Sequence, residues 1–477
     1  ITKCLMHAKE CEIGERNMKE KYFIHLLDTP VGKYIYDVNT NSIIEIGEGT
    51  FEYLKCGKKN TNQVDRDIQK MIKQGYLKTT RVEKAKNPSI DYIEDFLNNR
   101  VAYLVLQVTQ GCNLRCKYCV YSGGYDTRTH TKKRMNYKTA IKAIDFLIEH
   151  SKDEDTLYLG FYGGEPLLEF ELIKMCVKYI NKNAFGKKVE FNITTNATLL
   201  TENIVDFLVE NNFQILVSLD GPKETHDLSR QFAGSDEGCF NKLMDNLKFF
   251  QLKYPEFYKN RVSFNSVILP DNHLKSIEEF FSTNPLVKEN AITSSVVSDV
   301  YSKSTIKIDE KYVIDEQYGE FILFLSKLGW FKNEQVLNIA EQNFRNIEDL
   351  ADNLMKYKRS ELPKEWQHGG PCVPGMKRLF VNVEGKMCPC EKVSEIADQN
   401  VIGHIDKGFD MNKVLAILNQ GNKYFEKCKD CWIFSLCGVC ALTNDMVNNG
   451  YCELQKKDVE RRMINYIILK KLGLEFV

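Results

Sequence analysis

The hydrophobic rhythm of the chain changes along its length, and each rhythm predicts a different kind of structure. Between residues 22 and 55 apolar and polar positions alternate in short runs. The runs 22–27, 33–38 and 42–46 read as strands, separated by Asp28-Thr29-Pro30-Val31-Gly32 and Asn39-Thr40-Asn41 as turns. A helical spacing follows, with Val64, Ile68, Met71 and Ile72 on one face and Gly75 ending it. From residue 103 to about 300 the pattern alternates between two periods. Strand-like runs lie at 103–109, 157–161, 189–194, 214–218, 261–268 and 290–297; helical spacing lies at 138–150, 169–182, 202–211, 238–251 and 273–282. Such alternation predicts right-handed βαβ units on a parallel sheet. Residues 301–368 are charged and helix-rich, with 312–328 the clearest amphipathic stretch, and they read as a connector without chemistry.

At 477 residues the chain exceeds one ordinary domain. The expected division is a small unit at 1–95, the βα unit at 96–300, the connector at 301–368 and a last unit at 369–477. Lys+Arg and Asp+Glu both number 65, so the net charge is zero and nothing in it calls for nucleic acid or an anionic membrane. No apolar run is long enough to cross a bilayer, and residues 1–20 are charged without a signal-sequence pattern, which sets the cytoplasm as the expected location. The anomaly is sixteen cysteines: three lie at 112–119 and eight between 372 and 452. In a long chain of this kind they argue for metal binding over disulfides. Cys4, Cys11, Cys56, Cys176 and Cys239 fall outside both groups and read as ordinary thiols.

The first group follows the 103–109 strand as Cys112-Asn113-Leu114-Arg115-Cys116-Lys117-Tyr118-Cys119. Cubane iron–sulfur clusters take four thiolates, so three on one loop leave an iron open for another ligand. A zinc knuckle is the competing reading, although zinc favours cysteine pairs and a fourth ligand. The spacing of three residues and then two, with an aromatic residue before the third cysteine, resembles the signature of radical S-adenosylmethionine (SAM) enzymes. The resemblance implies that the open iron binds SAM. One-electron cleavage then yields a 5′-deoxyadenosyl radical that abstracts hydrogen from the substrate. It also implies a partial (β/α)6 barrel, with functional groups at the C-terminal ends of the strands.

Further segments at those ends fit the same family. Gly163-Gly164-Glu165-Pro166 follows the 157–161 strand and resembles the family's GGEP motif, in which a backbone carbonyl meets the SAM amino group. Asn196 follows the 189–194 strand, and Ser218 closes the 214–218 strand in Ser218-Leu219-Asp220-Gly221-Pro222. The resemblance puts these side chains near the ribose and carboxylate of SAM. Arg230 matches an arginine able to pair with that carboxylate, for which a guanidinium is well shaped. Taken singly, Asn196 and Ser218 also serve as helix caps or turn residues.

The second field is Cys372, Cys388, Cys390, Cys428, Cys431, Cys437, Cys440 and Cys452. Eight thiolates meet the ligand requirement of two cubane clusters. Gly385-x4-Cys390 after Cys372, and Cys428-x2-Cys431-x5-Cys437, resemble the SPASM auxiliary-cluster domain of radical SAM peptide modifiers. Cys440 follows Cys437 after two residues where that family has three. By this resemblance Cys372, Cys390 and Cys440 ligate a first auxiliary cluster, and Cys428, Cys431, Cys437 and Cys452 a second. Cys388 is the best candidate for the missing fourth ligand; the alternative leaves that iron open for a substrate thiol. A pair of zinc ribbons is the competing reading of the field on its own. Glu391 stands where related enzymes carry a carboxylate near the substrate that accepts a proton, and a solvated surface Glu is the plain alternative.

The expectation is therefore an α/β protein with a winged-helix-like N-terminal unit, a partial (β/α)6 barrel and a SPASM domain, carrying three 4Fe-4S clusters and SAM. The N-terminal unit resembles the leader-recognition element of peptide-modifying enzymes, which adds an extended peptide to a strand edge. The expected activity is maturation of a ribosomally made precursor peptide bearing a leader, most like the sactipeptide- and ranthipeptide-type maturases that form cysteine thioethers. Flavodoxin or ferredoxin is the expected type of reducing partner. Carbon–carbon crosslinking, epimerisation and formylglycine formation on a sulfatase are the alternative reactions. A non-catalytic metal-binding module is the alternative class, disfavoured because a structural cluster needs no SAM contacts.

Overall fold

The computed structural model describes residues 21–57, 61–270, 274–298, 300–332, 338–367, 372–440 and 450–476. Three antiparallel strands open it: β1 (Ile24–Thr29), β2 (Gly32–Asp37) and β3 (Ser42–Ile46), in that order across the sheet. They are followed by α1 (Glu48–Cys56) and α2 (Asn62–Lys73). The alternation of apolar side chains gives this sheet two faces to bury. Ile24 and Ile35 pack with Leu54, Val64, Ile68 and Met71 of the helices. Phe23, Leu27, Tyr34 and Tyr36 pack instead with residues of the connector and of the last helix. The N-terminal unit is thus clamped into the molecule, while β3 pairs with β2 alone among the described residues.

β4 (Lys84–Ala85) and α3 (Ile93–Asn99) lead into the βα unit. Its strands are β5 (Tyr103–Thr109), β6 (Thr156–Gly163), β7 (Lys188–Thr195), β8 (Gln214–Ser218), β9 (Val262–Ile268) and β10 (Ala291–Val296). All six pair in parallel and in chain order. Between them run α4 (Tyr137–Glu149), α5 (Phe170–Asn183), α6 (Glu202–Glu210), α7 (Lys223–Ser229), α8 (Phe240–Lys253), α9 (Pro255–Arg261) and α10 (Leu274–Thr283). The expected strands and helices are present within a few residues. Two short helices, α7 and α9, were hidden in stretches of mixed polarity.

Side chains alternate across a strand, and here the two faces differ in kind. Leu157, Leu159, Phe161, Phe191, Ile193, Ile215, Val217 and Phe264 face the helices and are buried in the main core. The opposite, concave face carries Tyr158, Tyr162, Asn192, Thr194, Ser218, Ser263, Asn265 and Thr293, which are partly or wholly exposed. The interior of this barrel is a polar, solvent-reachable bay.

The connector forms α11 (Glu310–Lys327) and α12 (Asn338–Lys356), which pack on each other, and α12 packs on β10. After β11 (Glu365–Trp366), which pairs with β4, the last unit adds its own strands to the barrel sheet. β12 (Leu379–Val381) lies parallel to β5. β13 (Lys386–Cys388), β14 (Gly403–His404) and β15 (Gly408–Phe409) continue antiparallel, giving one ten-stranded sheet. α13 (Met411–Leu418), α14 (Phe425–Cys428) and the long α15 (Tyr451–Lys471) complete the chain. Among the described residues no helix is long and apolar enough to cross a membrane. Cys56, expected as a plain thiol, is disulfide-bonded, a correction to that reading; Cys4 and Cys11 lie outside the described residues.

The last unit is joined to the barrel by backbone pairing of β12 with β5 and by a shared core. Phe380 of β12 is fully buried, sits edge-on to Tyr162 of β6 and lies under the Arg128 guanidinium. Phe380→Ala is expected to cost about 3–5 kcal/mol through the cavity it leaves, measured as a lowered urea midpoint of the full chain.

Candidate functional site

The cysteine loop leaves β5 at the C-terminal end of the sheet, and the turn after β6 is pressed against its base. Gly164 donates its N–H to the Thr109 carbonyl at 3.0 Å, and Glu165 donates to the Gly111 carbonyl at 2.9 Å. A Cβ on Gly164 would lie 2.0 Å from the Gly111 oxygen, and one on Gly163 2.2 Å from the Thr109 oxygen. Gly163 also has φ +149°, which side-chain-bearing residues rarely adopt. Sterics therefore require both glycines. Pro166 begins a short 3-10 turn, and Glu165 caps it through Leu167 N–H.

Glu165 is buried and accepts from Leu167 N–H, Thr195 Oγ1 and Asn196 N–H at 3.1, 2.8 and 2.8 Å. Its carboxyl ties the β6 turn to the end of β7. Asn196 then reaches the cysteine loop: its Nδ2 donates to Asn113 Oδ1 at 2.9 Å and lies 3.9 Å from Cys112 Sγ. Thr198 Oγ1 accepts from Asn113 Nδ2 at 2.8 Å.

On the other side of the loop stands Asp220, two residues past the end of β8, to which the sequence pattern assigns no role. Its carboxylate receives Arg230 Nε at 2.8 Å, Arg230 Nη2 at 3.1 Å and Val267 N–H at 3.1 Å, together with the Tyr118 hydroxyl. Arg230 also lies over the Tyr118 ring, with its Nη1 3.8 Å from Cys116 Sγ. Burial would weaken Arg230 as a base, but the Asp220 charge holds it protonated. Ser218 sits at the end of β8, half-buried on the concave face. A carboxylate between a strand end and a Gly-Pro turn was the available signal for Asp220.

Each loop thiol feels its neighbours. Burial pushes the Cys112 thiol up to about 12, with the Glu165 charge next in size, and the Cys116 thiol up to about 11 against the pull of Arg230. Burial also raises Cys119. Such thiols stay protonated until a metal displaces the proton, and iron binding does so outright. Among the described residues no three His, Cys, Asp or Glu side chains gather as tightly as ligands of a single ion do. The three thiols lie close enough to feel one another's charge, as ligands of one centre would.

The second field falls into two groups. Cys372, Cys390 and Cys440 feel one another's charge, as do Cys428, Cys431, Cys437 and Cys452. Cys388 lies on β13, and Cys390 is among the groups whose charge it feels. It is fully buried in the main core, and the largest charges it feels are those of Glu395 and Arg128. Glu391 is brought to the concave face. One carboxylate oxygen accepts from Arg378, whose guanidinium lies 4.7 Å over the Tyr103 ring, while the other is buried without a hydrogen-bond partner. Tyr103 donates to Asn192 Oδ1 at 2.6 Å, across Gly160 of the intervening strand. Nothing in the sequence pattern pointed to Arg378.

The sequence matches the family model of the Radical SAM superfamily over residues 106–283. The chain carries a radical SAM domain. The cysteine-type anaerobic sulfatase-maturating enzyme of Clostridium novyi (strain NT) is 26% identical over 384 residues, covering 76% of this chain and 95% of that protein. Radical SAM cyclopropyl synthase TigE of Paramaledivibacter caminithermalis is 28% identical over 181 residues, 36% of each chain. Among solved structures, native anSMEcpe with bound AdoMet and Cp18Cys peptide shares the fold, with a TM-score of 0.58 at 22% identity over 78% of this chain and 99% of that one. Radical SAM domains imply a 4Fe-4S cluster and SAM, and the loop of Cys112, Cys116 and Cys119 has the donor set for that cluster.

Asp220→Asn leaves Arg230 a buried cation without a carboxylate, and is expected to destabilise the domain by about 3–5 kcal/mol. Adding Arg230→Gln should recover most of the loss, which chemical denaturation of the single and double variants checks. Burial pushes Glu165 up to about 7 from an ordinary 4.5, outweighing its three donors. A group that holds its proton more tightly when folded stabilises fully below the unfolded value, and that contribution fades as pH rises through the folded one. Wild-type stability should therefore fall between pH 5 and 7.5 by more than that of Glu165→Gln, as read from urea midpoints at both pH values.

Proposed function

We propose that this chain is a radical SAM maturase that oxidises a peptide substrate, and that it joins a cysteine sulfur to a carbon of a ribosomally made precursor. The observation that carries the reading is the polar bay, with the cysteine loop at its rim and Glu391 on its floor. A bay of this kind can admit an extended peptide, and a partly buried carboxylate with one oxygen unpartnered can accept a proton from it. About a quarter of the chain lies outside its alignment with the C. novyi enzyme. The edge of β3, unpaired among the described residues, supports a leader-binding role for the N-terminal sheet by strand addition.

In this reading Cys112, Cys116 and Cys119 hold the first cluster. Asn196, Ser218 and the donors of Arg230 not used by Asp220 orient SAM, beside the Gly163-Gly164 backbone. Cys372, Cys390 and Cys440 hold one auxiliary cluster, and Cys428, Cys431, Cys437 and Cys452 the other. The burial of Cys388 in the main core, with Glu395 and Arg128 as the largest charges it feels, favours an open iron on the first auxiliary cluster. When bound, these groups supply hydrogen-atom abstraction from an unactivated carbon and a sink for the remaining electron. Glu391 takes the proton of the substrate thiol through its unpartnered oxygen, and Arg378 fixes its orientation. A C–H and an S–H bond break and a C–S bond forms, so the peptide loses two hydrogens. A flavodoxin- or ferredoxin-type donor would supply the reducing electron. Formylglycine formation is a second reading, favoured by the similarity to sulfatase-maturating enzymes.

The expected result of anaerobic incubation with SAM, reductant and a cysteine-containing peptide encoded beside the gene is a product lacking two hydrogens and one free thiol. Thiols retained despite the same loss would mark carbon–carbon crosslinking, an unchanged mass with SAM consumed epimerisation, and an aldehyde in place of the thiol the sulfatase-type reaction. Cys116→Ala should abolish SAM cleavage, whereas Glu391→Gln should lower product by about tenfold or more while deoxyadenosine still accumulates.

A further inference from the structure

The helix α11 was expected to be amphipathic, and in the structure it is apolar on two opposite faces. Tyr312, Gly319 and Leu323 form its buried side. Ile314, Tyr318 and Phe321, spaced four and then three residues apart, form a second stripe on the far side, each more than half exposed. Trp330, also more than half exposed, and Phe331, nearly half exposed, extend the stripe past the helix end. Exposed apolar area on this scale marks contact surfaces in folded proteins.

The stripe borders a cavity of about 480 Å³ between α10, α11 and α12, to whose lining Tyr318 and Phe331 themselves contribute. Four carboxylates line the same cavity, those of Glu278, Glu279, Asp315 and Glu316, against the single cation Lys275. Asp315 Oδ2 is buried with no hydrogen-bond partner among the described residues. Buried carboxylate oxygens call for a donor, and the excess of acid selects a cationic one. The cleft also has a place in the architecture. α12 packs on β10, the outermost strand of the barrel, so the cleft lies at that edge of the sheet.

We propose that the α10–α11–α12 cleft docks a peptide segment in which an arginine or lysine stands next to large apolar residues. The cation enters the acidic cavity, and the apolar residues lie along Tyr318, Phe321 and Trp330. Resting on the reading of a peptide substrate, the proposal assigns this segment to the substrate's own flank, held beside the bay while the reacting residue is inside it. Acidic partners are repelled by the same carboxylates.

The test is fluorescence anisotropy on the full, cluster-loaded protein, with a short fluorescein-labelled peptide of arginines beside phenylalanine and leucine. Its control has glutamate for each arginine and therefore equal apolar content. The arginine peptide is expected to bind about tenfold more tightly or better, a difference of about 1.4 kcal/mol. Tyr318→Ser/Phe321→Ser and Asp315→Asn/Glu279→Gln should each remove about that advantage, with melting temperature and SAM binding unchanged. Equal affinity for both peptides, or binding indifferent to both double variants, overturns the proposal. Concentration-dependent dimerisation abolished by Phe321→Ser, with no peptide effect, overturns it in favour of a second copy as occupant. Binding is read without turnover, so a failed mass change in the peptide incubation rejects the substrate reading and leaves this result standing.

Discussion

The carboxylate of Asp220 is the constraint around which the reactive end of the barrel is arranged. It joins Tyr118 of the cysteine loop, Val267 of β9 and the Nε and Nη2 donors of Arg230 at one buried point. Buried charges persist only when paired and hydrogen-bonded, and here the pairing fixes three chain segments at once. The Arg230 guanidinium cannot leave Asp220 without becoming an orphan cation. Its remaining donors therefore point consistently toward Cys116 and the open end of the sheet. On the opposite flank Glu165 does the same work with neutral donors, tying the glycine turn to β7 and, through Asn196, to Asn113. The cysteine loop is held from both sides before any metal arrives.

The second organising fact is the continuous sheet. Because β12 pairs with β5, the cysteine-rich unit is an extension of the barrel, and the Arg128 guanidinium lies between Tyr121, Phe380 and the Val393 carbonyl. Buried Gln107 donates to Glu395 and accepts from Val383 N–H across the same seam. This is why Glu391, more than two hundred residues from the cysteine loop, looks into the same bay. A flexible linker between two domains would not hold Glu391 at a defined place relative to the cysteine loop, and chemistry between two such groups would be sensitive to that placement.

The sequence was most legible where one period ran unbroken. Six strands and the main helices between them were readable because parallel strands are buried on the helix side, and helices keep a 3.6-residue stripe. α7 and α9 were missed because short helices at a site are stabilised by neighbours rather than by pattern. α11 was misjudged for another reason. A helix apolar on opposite faces has no net direction to its hydrophobicity, so the sequence does not say which face is core.

Local chemistry is what the sequence alone determined: thiols at cluster spacing, glycines where no side chain fits, a carboxylate beside Cys390. Such features depend on a few adjacent residues, and adjacency is what a sequence records. Partnership was decided by the tertiary structure alone. Arg230 meets Asp220, Arg378 meets Glu391, and Cys388 is buried in the main core. Each of these depends on strand register and on which face a side chain takes, and a one-residue change of register reverses the face. Those choices are made by packing of the whole sheet, so no stretch of the chain carries them by itself.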